Sequence, residues 1–192
     1  MIKRKRRVLL IAYQFPPVGG AGVQRVAKFT KYLPCFDWDV SVLTVSNPSV
    51  PLADQSLADE IPSQTIIRRA QSFEPDYRLK QSLAQATSPA QELGGRKNAL
   101  KRAAKCTATA ILQPDPQILW VPQAVKQGTR LLREMPHDAI MVSGPPFSSF
   151  LVGVALKRRF RLPLVLDYRD EWTITNRYQE NRSRQPFINR LQ

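Results

Sequence analysis

Six consecutive residues near the end of the chain, Asp167-Tyr168-Arg169-Asp170-Glu171-Trp172, form its densest polar constellation. The carboxylates of Asp167 and Asp170 suit the orienting of an acceptor hydroxyl, and Trp172 suits stacking on a sugar face. The structural alternative is an Arg169–Asp ion pair that only shapes the loop. A second stretch, Gly19-Gly20-Ala21-Gly22, combines glycines that let a ligand approach the backbone with a helix start that favours anions. Its alternative is a tight turn needed for packing. A third, Ser143-Gly-Pro-Pro-Phe-Ser-Ser149, follows an apolar run and precedes helical spacing, with Ser148 or Ser149 placed to cap that helix. Its alternative is a rigid turn and a cap.

These residues need elements to hold them. Arg7–Tyr13 is an apolar run of the kind a strand buried on both faces shows. After the breaker-rich stretch Gln14–Gly22, apolar residues recur at helical spacing over Val23–Leu33, and Pro34 stops the pattern. Asp39–Val45 reads as a second strand, giving a βαβ crossover. Residues 46–64 read as Pro- and Ser-rich loop, and Thr65–Arg69 as a third strand. Residues 73–118 lack a clean strand and read as helices with polar turns. Lys97, Lys101 and Lys105 form a basic stripe there beside an apolar one. Helices over Val121–Glu134 and Ser148–Phe160 alternate with strands over Asp138–Ser143 and Pro163–Asp167. Alternation of this kind predicts an α/β fold with a mainly parallel sheet. Ligands of such sheets bind at the carboxyl ends of the strands near a topological switch point. All three polar stretches follow strands; His137 precedes one, and is read as structural or solvent-exposed at the opposite edge.

Composition narrows the chemistry. The chain of 192 residues is 43% hydrophobic, enough for a core, and its 16 prolines argue against a helical bundle. Two cysteines, Cys35 and Cys106, cannot make a disulfide framework, and a single histidine excludes most multi-histidine metal sites. The net charge is +14, concentrated in the leader Lys3–Arg7, around Arg96–Lys105 and over Lys157–Arg161. Such clusters attract phosphates of nucleic acid, anionic lipid or a nucleotide-bearing substrate, or are simply solvated. The apolar run after the leader is too short for a secretory signal or a membrane span, so a cytoplasmic protein is expected. No dinucleotide fingerprint is present, because Arg25 stands where the third glycine would fall, and there is no Walker pattern.

The segments LLIAYQFPPVGGAGVQRVAKFTKYL (9–33), PDPQILWVP (114–122), SGPPFSS (143–149) and PLVLDYRDEWT (163–173) occur in an order that resembles family 4 glycosyltransferases. The matches span about residues 1–175, and the last is the most specific. The resemblance implies the incomplete N-terminal half of a GT-B fold: a Rossmann-like three-layer sandwich bearing the acceptor side of a cleft, with 1–192 as one domain. It implies a retaining reaction that needs no metal and no cofactor. Gly19, Gly20 and Gly22 would meet the donor diphosphate, Ser143, Arg169 and Trp172 the acceptor, and Asp167 and Asp170 would be catalytic. Many relatives carry a catalytic histidine where this chain has Ser143-Gly144-Pro145-Pro146.

The nucleotide-sugar site and a Glu-x7-Glu motif belong to a C-terminal half, so the donor is expected as a partner only with that half. The chain alone is expected to be inactive. A glycan or lipid-linked acceptor is the second expected partner, with peripheral contact to the inner face of an anionic membrane and no nucleic acid. The alternatives are a non-catalytic binding module, a split-enzyme half, or a basic nucleic-acid binder, for which no recognised motif is present.

Overall fold

The computed structural model describes residues 5–48, 52–74 and 114–169. Five strands, β1 (Arg6–Ala12), β2 (Trp38–Val45), β3 (Ile66–Ala70), β4 (Ala139–Gly144) and β5 (Leu164–Tyr168), form one sheet in the order β3-β2-β1-β4-β5. Every pairing is parallel. The chain works outward from β1 to β3 and then returns to the other side of β1, so the switch point lies between β1 and β4.

The helices are α1 (Ala21–Tyr32), α2 (Gln55–Asp59), α3 (Val121–Glu134) and α4 (Ser148–Phe160). Strand alternation sorts the core into two layers. Val8, Leu10, Val40 and Val42 face Val26 and Phe29 of α1. Leu9, Ile11, Leu43, Ile140 and Val142 face Ala124 and Leu131 of α3 and Phe150, Val152 and Leu156 of α4. The sheet is therefore covered on both sides, as parallel sheets require.

The expected strands and the expected helices over 23–33, 121–134 and 148–160 are present, with ends moved by two residues at most, while nearly all of the helical reading of 73–118 falls outside the described residues. Two local readings are corrected. The 46–64 stretch holds α2, which starts at Asp54, whose carboxylate accepts the Ser56 N–H at 3.0 Å. The start of α4 is capped by neither Ser148 nor Ser149: its capping position is Phe147, and the Ser148 N–H is met by Asp115 Oδ2 at 2.9 Å. Periodicity reports neither event, since α2 is too short to show a period and Asp115 lies on another segment. The expected basic stripe at 97–105, and Asp170 and Trp172, lie outside the described residues.

Candidate functional site at the carboxyl edge

The loop leaving β1 is tied down before it reaches α1. Gly19 N–H donates to Leu52 O at 3.0 Å, Asp54 N–H to Pro17 O at 2.7 Å, and Arg69 Nη2 to Pro16 O at 2.9 Å. These bonds separate the three glycines. The Gly19 amide is committed to Leu52, and a Cβ there would lie 2.9 Å from Leu52 Cγ. Gly20 has φ +118, a conformation that glycine favours, and a Cβ there would meet nothing within 4 Å. Gly22 faces Arg169, whose Nη1 would be 2.0 Å from an added Cβ. Gly20 is thus the open position of the loop. It precedes a helix that has no side-chain cap and no acid in its first turn.

On the α1 face, the register aligns Ala12, Ser143 and Asp167 across β1, β4 and β5. Ser143 Oγ donates to Asp167 Oδ2 at 2.9 Å, and Arg25 Nη2 of α1 pairs with Asp167 Oδ1 at 2.7 Å. Burial is graded outward: Ser143 is 1% exposed, the Asp167 side chain 8%, and that of Arg25 50%. The Arg25 guanidinium also lies over Phe29, 5.7 Å from its centroid. Arg169 does not pair with Asp167. Its Nε donates to Gly144 O at 3.1 Å and its Nη2 to Pro145 O. The structure thus brings together Ser143, Asp167, Arg169 and Gly22, and adds Arg25, which sequence reasoning noticed only as a missing glycine. Its position within α1, one turn beyond Gly22, is the signal that was available.

On the other face a second polar group was missed. Tyr13 Oη donates to Glu74 Oε1 at 2.7 Å, Ser72 Oγ donates to the same oxygen at 3.3 Å, and Gln117 Nε2 donates to Oε2 at 3.4 Å. Trp120 Nε1 bonds Ala70 O, and its ring meets Tyr13 edge-on. Burial, and then the Glu74 carboxylate, push the Tyr13 phenol well above its ordinary range, so it stays a donor. Nearby, burial raises the Asp115 carboxyl, and its Oδ1 has no partner among the described residues. His137 is buried at the amino edge, as placed from sequence; its Nδ1 meets Met135 O at 3.0 Å, and burial lowers its pKa. Among the described residues no group of three or more His, Cys, Asp or Glu could hold a metal ion. Nor is any described helix long and apolar enough to cross a membrane.

No family model matches the chain, and no curated protein matches it. Solved structures do. The Medicago truncatula UGT71G1 structure complexed with UDP-glucose aligns with a TM-score of 0.50 at 11% identity, over 94% of this chain and 33% of that one. Phytolacca americana UGT2 complexed with UDP-2fluoro-glucose and pterostilbene aligns with a TM-score of 0.47 at 14% identity, over 88% and 31%. The chain spans about a third of the length of the structures it matches. At this identity the likeness is one of fold alone: a Rossmann-like half-domain of the GT-B type. These neighbours are family 1 glycosyltransferases, so the likeness extends to the GT-B fold and no further into family 4.

Proposed function

We propose that this chain is the acceptor-side domain of a retaining family 4 glycosyltransferase, which passes a sugar from a nucleotide-sugar donor to a glycan or lipid-linked acceptor. The observation that carries the reading is the convergence of the Gly20 opening, Ser143, Asp167 and Arg169 at the carboxyl edge of a parallel sheet beside its switch point. In this reading the donor diphosphate leaves toward Gly20 and the start of α1, where oriented amides stabilise the charge that develops. Gly19 and Gly22 shape that turn. Ser143, Arg169 and Trp172 form the acceptor wall, and Asp167 and Asp170 supply its carboxylates. No metal or cofactor is assigned to the reaction.

Sugar transfer needs both substrates held in a closed, water-poor cleft. The reading therefore assigns the nucleotide site to a donor-binding half supplied outside these residues. The purified 192-residue chain should not turn over any common nucleotide sugar. Multiple turnovers by the chain alone would contradict the half-cleft reading.

Peripheral contact with an anionic membrane is part of the same proposal. Gly128 of α3 packs on Leu156 of α4, and Arg130 and Arg133 of α3 and Lys157, Arg158 and Arg159 of α4 are exposed. Each cation near an anionic surface contributes about 1 kcal/mol. Replacing Lys157, Arg158, Arg159 and Arg161 by Gln should reduce pelleting with anionic vesicles at low salt; unchanged pelleting would remove this surface from the account.

A further inference from the structure

We infer that Arg25 is the side chain that meets an anionic, phosphoryl-bearing ligand at the carboxyl edge, and that Asp167 is the positioning residue that holds it there. The inference rests on the functional reading above for the place of the ligand. It changes the part given to Asp167.

Both Asp167 oxygens already accept a donor, Ser143 Oγ at 2.9 Å and Arg25 Nη2 at 2.7 Å. A carboxylate engaged at both oxygens is poorly placed to take a proton from an acceptor hydroxyl, which must come within hydrogen-bond reach of a free lone pair. The same engagement suits an orienting role. Arg25 is gripped at one nitrogen by Asp167 and lies over the Phe29 ring, yet half of its side chain faces solvent. A guanidinium held in this way keeps further N–H donors of its planar fork for a phosphoryl group and loses little freedom on binding.

The burial gradient supports orientation over stability. A buried carboxylate costs desolvation that an apolar residue in the same place would not. Asp167 sits at the end of β5, where an apolar side chain would continue the strand. Its buried partner is Ser143, and its outward partner is a half-exposed arginine. The three residues come from β5, β4 and α1 and span the sheet beside the switch point. Arg69 at the same edge directs its nitrogens to the backbone carbonyls of Val45 and Pro16, whereas Arg25 is held by a carboxylate.

The test uses the whole chain and inorganic pyrophosphate as the probe, with sodium chloride at matched ionic strength as the control. Phenylglyoxal modification of each arginine is followed by peptide mass spectrometry. Pyrophosphate should slow modification of Arg25 about tenfold, as a charge-assisted contact would, and leave exposed Arg158 unchanged. Asp167→Asn should weaken pyrophosphate binding about tenfold by releasing Arg25, and Arg25→Lys should weaken it while leaving the fold intact by circular dichroism. Equal modification of Arg25 in pyrophosphate and chloride would overturn the inference. So would an Arg25→Lys protein that binds pyrophosphate as tightly as wild type while losing only thermal stability. Protection of Arg25 in a chain that transfers no sugar even when joined to a donor-binding half would count against the glycosyltransferase reading and leave this inference standing.

Discussion

Asp115 and His137 are both displaced by burial, and in opposite senses for stability. Burial raises the Asp115 carboxyl above its ordinary 3.8, so the native state holds that proton more tightly than the unfolded chain does. Its stabilising contribution is complete below about 3.8 and is lost as pH rises through the native value. Burial lowers His137 below 6.5, so its contribution is complete above that value and is lost as pH falls through the native one. Urea denaturation between pH 4 and 8 should show wild type gaining on Asp115→Asn as the pH falls, and losing on His137→Gln over the acid side of 6.5. Opposite slopes would reverse the burial argument at that residue. The Asp115–Ser148 bond and the Arg25–Asp167 pair both join residues far apart in the chain. Sequence reading grouped Ser143, Asp167 and Arg169 because each ends or follows a strand. It could not find which side chain Asp167 would hold, since that depends on how α1 lies across the sheet.

Elements were legible where periodicity was long. The bounds of α3 and α4 follow from their apolar spacing, with Pro122 in the first turn of α3. What the period does not carry is the closeness of packing. Gly153 of α4 lies against β4, where an added Cβ would stand 2.4 Å from Val142 Cγ2, a branched side chain with few rotamers to move into. Gly153→Ala should cost about 1–3 kcal/mol by overpacking, read as a shift in denaturation midpoint. At α1 the sign is the reverse. Ala21 is exposed in a first turn that carries no acid. Ala21→Glu should stabilise the helix by about 0.3–1 kcal/mol through its dipole, while weakening pyrophosphate binding to the same edge. Stabilisation with undiminished anion binding would show that the start of α1 is only a helix end.

At the scale of the molecule, the parallel sheet and its switch point place two polar groups at one edge, on opposite faces of the sheet, and bring basic helix ends to the other. Alternating strands and helices made the α/β class readable, and the carboxyl-edge rule grouped the candidate residues that the structure brings to one edge. Strand order was not written in any local pattern. It follows from β4 returning to the far side of β1, and it sets the glycine loop beside the β4–α4 turn, with Arg169 between them. The most direct measurement of the central claim is amide NMR of the 192-residue chain titrated with inorganic pyrophosphate, the part of the donor that the account places on this half of the cleft. The account predicts shifts clustered over residues 18–25, 143–148 and 167–169, with those at Lys157–Arg161 unmoved. Shifts confined to the amino edge around Arg7, His137 and Lys157–Arg161 would contradict it.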